Sequence, residues 1–121
     1  MREEVKQAWI EALESGRYKQ GFGLLRHVDA EGEERFCALG VLCDISGLGE
    51  WTTPTGTGDT GFRVGRHTAA ASLSPAVCQW AEVNESAPIV AKRPVSDIND
   101  QGLTFAEIAA LLRATPSEEI L

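Results

Sequence analysis

The most suggestive spacing in the chain is Gly56-Thr57-Gly58-Asp59-Thr60-Gly61, a match to the G-x-G-x-x-G pattern of loops that cradle a pyrophosphate. Those glycines work only between a buried strand and a helix whose N-terminus faces the phosphates. Here Trp51-Thr52-Thr53-Pro54 is no strand for a parallel sheet, and Phe62-Arg63-Val64-Gly65 opens no helix. The segment reads as a flexible loop. Asp97-x-Asn99-x-Gln101-Gly102 begins like a calcium loop, but the fifth position is Gln101 and the twelfth, which must give a bidentate carboxylate, is Ile108. Thr104 and Glu107 already form a capping pair for the helix that follows, so calcium is rejected. Cys37 and Cys43 lie in an apolar run without a C-x-x-C knuckle, and only His27 and His67 could join them, so no zinc site is expected. Cysteine nucleophiles need an electropositive, partly exposed setting, whereas Cys37, Cys43 and Cys78 sit among aliphatic residues. No G-x-S-x-G elbow occurs.

What remains is a polar set without a structural task. Arg63, Arg66 and His67 follow the glycine-rich loop, with Phe62 beside them. Arg26 ends an early strand, and Arg93, Asn99 and Asp100 precede a final helix whose N-terminus attracts anions. Any one arginine is ordinarily a solvated group paired with a carboxylate. As a set they suit a nucleotide-like ligand: guanidinium forks for phosphate, a ring for stacking, an amide for a base edge.

The elements that must position these residues read as α+β. Val5, Ala8, Trp9, Ala12 and Leu13 recur at helical spacing up to Gly16. Tyr18 to Val28 reads as a strand that turns back at Asp29-Ala30-Glu31-Gly32 through Arg35 and Phe36, a hairpin. The apolar run Phe36 to Ile45 suits a short strand passing into a helix that stops near Gly47, and Gly40 suggests a close backbone approach. Trp51 to Gly65 is either a loose hairpin or a mobile loop, expected to become more ordered with ligand. Ser74-Pro75 starts a short helix, and Pro88 to Ala91 is a short strand that Pro94 punctuates. Thr104-x-x-Glu107 is a capping box ahead of the stripe Phe105, Ile108, Ala109, Leu111 and Leu112, and Ser117 to Leu121 reads as a frayed tail. The expected fold is a small antiparallel sheet packed with an N-terminal helix, a short middle helix and a C-terminal helix, in a single domain over residues 1–121.

At 121 residues, 43% apolar and 24% charged, the chain closes one modest core. A net charge of −7 argues against tracking duplex nucleic acid or coating an anionic membrane, both of which need a basic face. With no signal-peptide or membrane-span run, a bacterial-cytoplasmic protein with reduced, structural cysteines is expected. Three tryptophans and several apolar segments in so short a chain suggest a homo-oligomer, a dimer or higher.

Four stretches carry a wider resemblance: Trp9 with Leu13-x-Ser15-Gly16-x-Tyr18-x-Gln20-Gly21; Phe36-Cys37-Ala38-Leu39-Gly40-Val41-Leu42-Cys43-Asp44; Ser74-Pro75-x-Val77-x-x-Trp80; and Ile98-Asn99-Asp100-x-Gly102-x-Thr104-Phe105-x-Glu107-Ile108-Ala109. In these the chain resembles small phage and prophage proteins, and among them the phage anti-Thoeris sponges. That resemblance implies a homo-oligomer that captures, without cleaving, the cyclic ADP-ribose signals of TIR enzymes, and in some relatives cyclic oligonucleotides. It implies ligand-facing roles for Asn99 and one or more of Arg63, Arg66 and Arg113. Such sponges present an aromatic to the purine, which the stretch Pro88 to Ile98 lacks, so Phe62 or Ile89 would have to substitute. Arg26 and Asp100 complete the expected ligand set; no cofactor, metal or catalytic residue is expected. The rival reading is an acidic protein–protein inhibitor or adaptor of phage or prophage origin, and a weaker one is a small hydrolase acting on the same signals.

Overall fold

The structure, a computed structural model, describes residues 1–53 and 59–121. The glycines 56 and 58 of the G-x-G-x-x-G match therefore lie outside the described residues, as do the other residues of 54–58 in the loop expected to be mobile.

Helix α1 (Glu3–Glu14) buries Val5, Trp9, Ala12 and Leu13 of the stripe its spacing predicts, with Ile10 in addition, while Ala8 is exposed; Gly16 leaves it at φ +78°. The chain then forms β1 (Lys19–Gln20), β2 (Arg26–Val28) and β3 (Glu34–Phe36). The hairpin β2–β3 is antiparallel, with Arg26 opposite Phe36 and Val28 opposite Glu34. The single early strand expected over Tyr18 to Val28 is instead two short ones. Between them Gly21 N–H donates to Phe36 O, and the chain swings away through Phe22 and Gly23. As a result β1 pairs with β3 in parallel, so the sheet is not purely antiparallel.

Helix α2 (Ala38–Ser46) follows, closed by Gly47 at φ +65°. The apolar run thus divides at Cys37, and Gly40 meets the close approach its type suggested. A Cβ there would stand 1.8 Å from Leu25 O. Strands β4 (Glu50–Thr52), β5 (Asp59–Val64) and β6 (His67–Ala69) complete the sheet, in the order β1-β3-β2-β5-β4 with β6 beside β5. Of the two readings for Trp51 to Gly65, the described residues form a hairpin, Trp51 lying opposite Phe62.

Helix α3 (Pro75–Ala81) starts on Ser74, whose hydroxyl accepts from Val77 N–H. A separate two-stranded ribbon, β7 (Ile89–Val90) and β8 (Arg93–Pro94), leads into α4 (Val95–Asp100). Sequence reasoning assigned no element here; Val95, Ile98 and Asn99 face inward and hold the helix. Helix α5 (Phe105–Ala114) carries the capping box in full and packs its apolar stripe along α1. The tail is not frayed. Ser117–Glu119 make a 3-10 turn, Ile120 is fully buried, and Leu121 exchanges backbone bonds with Asn84, Glu85 and Ile89. The burial of Ile120, these backbone bonds and the two that the Met1 ammonium donates to Ser117 O and Ile120 O hold the tail against the entropy of ordering it. Among the described residues no helix is long and apolar enough to cross a membrane.

Candidate functional site

The expected ligand residues do not converge. Asn99 is wholly buried, and its amide is used up inside the fold. Its Oδ1 accepts from Gln20 Nε2 at 3.0 Å and from Ala38 N–H at 3.2 Å; its Nδ2 donates to Gly21 O at 2.9 Å and to Asp100 Oδ1 at 3.2 Å. Four bonds exhaust what a carboxamide offers, so nothing is left to read a base edge. The physical reason lies in α2, whose own N-cap residue, Cys37, makes no side-chain cap. Asn99 satisfies that buried helix end from a distant part of the chain. Asp100 is tied up with it, accepting from Gly23 N–H at 2.9 Å.

Phe62 is also corrected. It is buried beneath the sheet, its ring 4.9 Å from that of Trp51, and it presents no face to a ligand. Arg113 forks onto Glu14 with bonds of 3.0 and 2.7 Å, joining α5 to α1. Arg63 pairs with Glu50 at 3.0 Å, and Arg66 is exposed in the turn between β5 and β6. Ile89 lines a separate pocket of about 490 Å³ with Lys92, Pro116 and Leu121. Phe62 and Arg63 are adjacent on β5 and so project from opposite faces, while Arg26 stands opposite Thr60 on the Phe62 face. Of the expected set, Arg26 lies in a setting that the others do not share.

That setting is aromatic. Tyr18 meets Phe36 edge-on at 5.1 Å, and Phe36 meets Trp51 at 5.7 Å. The Arg26 guanidinium lies 6.0 Å from the Phe36 ring centre and 5.8 Å from that of Trp51. A cation over ring faces is attracted by their quadrupoles, the more so once desolvated. Asp44, at the end of α2, aims two of the rings: it accepts from Tyr18 OH at 2.6 Å and from Trp51 Nε1 at 2.9 Å. Burial, and then the bond to Asp44, push the Tyr18 hydroxyl up to about 12. On the β1–β3 side the cluster borders a cleft of about 380 Å³ lined by Arg17, Lys19, Gly32, Glu33, Glu34 and Phe36. Arg17 stacks 5.5 Å from the centre of the Tyr18 ring, Lys19 pairs with Glu33, and Arg26 Nη2 donates to Glu34 Oε1 at 2.6 Å. Sequence reasoning missed Arg17, Tyr18, Lys19, Phe36 and Trp51 as a group. Three separate segments meet here through strand register, and only the R-Y-K spacing of residues 17–19 hinted at it.

The cysteines lie elsewhere. Burial raises the Cys37 and Cys43 thiols above their usual value, and desolvation does the same to Cys78. A raised thiol holds little thiolate near neutrality, which is what packing cysteines show. Among the described residues no group of three or more His, Cys, Asp or Glu side chains is placed to hold a metal.

The residues that carry the sequence resemblance prove to be those that hold the fold. Trp9 Nε1 donates to Ala38 O at 2.9 Å, Gln20 reaches Asn99 and Leu103 O, Tyr18 reaches Asp44, Gly40 meets Leu25, Ser74 caps α3, and Thr104 with Glu107 caps α5. No curated protein and no solved structure matches the chain. A family profile covers residues 1–116, nearly its whole length, and the chain belongs to that family, described as a domain of unknown function, DUF8296.

Proposed function

We propose that this domain captures a small phosphate-bearing, purine-type signal and does not cleave it, with a cyclic ADP-ribose isomer as the leading candidate and cyclic oligonucleotides as the next. Acting in the cytoplasm of a bacterial host as a dimer or higher oligomer, it would lower the free concentration of a defence signal by mass action. The observation that carries this reading is Arg26, held over Phe36 and Trp51 beside the Arg17–Lys19 cleft. A guanidinium fork suits a pyrophosphate, and half-buried Trp51 and Tyr18 supply the rings that Phe62 does not. The cleft is of the size that small-ligand sites favour, about 300–1,000 Å³.

Melting curves with and without cyclic ADP-ribose isomers test the proposal. A ligand present at a hundred times its Kd stabilises the folded state by about 2.7 kcal/mol, which moves the midpoint by several degrees. Midpoints unmoved by every isomer and by cyclic dinucleotides at millimolar concentration would remove this reading. The rival, an acidic adaptor that occludes a basic target, is favoured by the outer face of α1, where Glu3, Glu4, Glu11 and Glu14 all face solvent. It predicts that no small nucleotide shifts the midpoint.

A further inference from the structure

Arg26 and its partner differ sharply in exposure. The arginine side chain is 12% exposed, whereas Glu34 is 58% exposed. The guanidinium is fixed from below by two rings and from the strand by the Arg26–Phe36 register, so it keeps its place whether or not the carboxylate is present. Glu34, whose carboxylate accepts from the fork, also lines the adjoining cleft, the space open to a ligand. Lys19 and Glu33 form a second ion pair at the same cleft, with both partners exposed. In both pairs the partner that must move, Glu34 or Glu33, is exposed, so the released carboxylate regains its water. A phosphate presents more charge and more acceptor oxygens to the same fork, in a shorter and stronger set of bonds.

From this we infer that Glu34 is a placeholder anion. In the free protein it occupies the fork of Arg26, and a phosphate-bearing ligand displaces it, with Glu33 playing the same part for Lys19. The inference rests on the binding reading above and adds the identity of the anchor, the ligand chemistry it takes, and an internal competitor that sets the affinity. A carboxylate that had to release the fork before binding would weaken every phosphate ligand by the same factor. It would also reject ligands whose anion is a weaker acceptor than Glu34. The occupant is thus a phosphate ester or pyrophosphate, not a simple carboxylate.

The test is a titration of the full chain with inorganic pyrophosphate and with cyclic ADP-ribose, following the Trp51 indole N–H by heteronuclear NMR. Trp51 lies under Arg26, so its signal reports occupancy of the fork, and the rest of the spectrum reports folding. Glu34→Gln is expected to tighten binding of both probes at least about twofold, since it removes the competitor for a fork that is itself mostly buried. Arg26→Gln is expected to weaken both at least tenfold, and Arg26→Lys to fall between, which keeps the test valid if Arg26→Gln folds poorly. Glu34→Gln binding equally or more weakly, with Arg26→Gln still defective, overturns the placeholder and leaves the site standing. Arg26→Gln and Arg26→Lys both binding like the parent overturn site and placeholder together.

Discussion

Replacing Asn99 by alanine removes a group that closes four hydrogen bonds around one buried point. Gln20 keeps its 2.7 Å bond to Leu103 O, and Asp100 keeps Gly23 N–H and is open to water, so those partners lose little. The cost falls on Ala38 N–H and Gly21 O, two buried backbone groups that no other side chain reaches in the present arrangement. An unpaired buried backbone group costs about 1–3 kcal/mol. Allowing for some relaxation, Asn99→Ala should lose about 3 kcal/mol in all, most of it at the start of α2. For a chain of this length that corresponds to a fall in Tm of roughly 12 °C. Chemical denaturation followed by circular dichroism gives the free energy directly. Asn99→Asp should be no milder, since its second oxygen would face Gly21 O and the Asp100 carboxylate. A variant that melts with the parent but binds nucleotide weakly would refute this reasoning, because that is the signature of a ligand-facing amide.

Other outcomes follow from the same structure. Tyr18 is the sole tyrosine, so its phenolate absorbance titrates alone, near about 12 and well above the ordinary value of 10.0. Because its folded value is raised, the stability it contributes is complete below about pH 10 and is lost as pH rises through about 12; a midpoint near 10 in the native protein would contradict both the burial of the ring and its bond to Asp44. Gly40→Ala places a methyl group 1.8 Å from Leu25 O and should prevent normal folding or cost more than about 4 kcal/mol, readable as loss of native near-ultraviolet dichroism. Light scattering at micromolar concentration should give at least twice the 13.0 kDa chain mass, in keeping with the exposed Phe22, Leu48 and Leu121 side chains. A monomer would remove the oligomer from the proposal.

Local signals were legible in the sequence where the chemistry is itself local. Ser74-Pro75, Thr104 with Glu107, and Gly47 act within one turn of their helices, and each does what its type dictates. Helix α4 was hidden because a six-residue helix has little propensity to read; it exists through the burial of Val95 and Ile98 and the long-range bonds of Asn99. The tail was misread for a like reason: a lone Ile120 among acidic residues gives no pattern, and its docking depends on backbone groups near residues 84–89. Asn99 stood out as a polar residue without a task, yet its task was a distant helix end. Arg26 stood out as an arginine at a strand, but the rings beneath it come from β3 and β4, and single-strand patterning cannot set that register.

Capture without cleavage is tested most directly by recovering the ligand. The protein is incubated with a cyclic ADP-ribose isomer, freed of unbound ligand, denatured by heat, and the released compound is identified by chromatography. The account predicts intact cyclic ligand, retained by the parent chain and by Glu34→Gln but lost from Arg26→Gln. Release of the linear, hydrolysed product, or retention unaffected by Arg26→Gln, would contradict it.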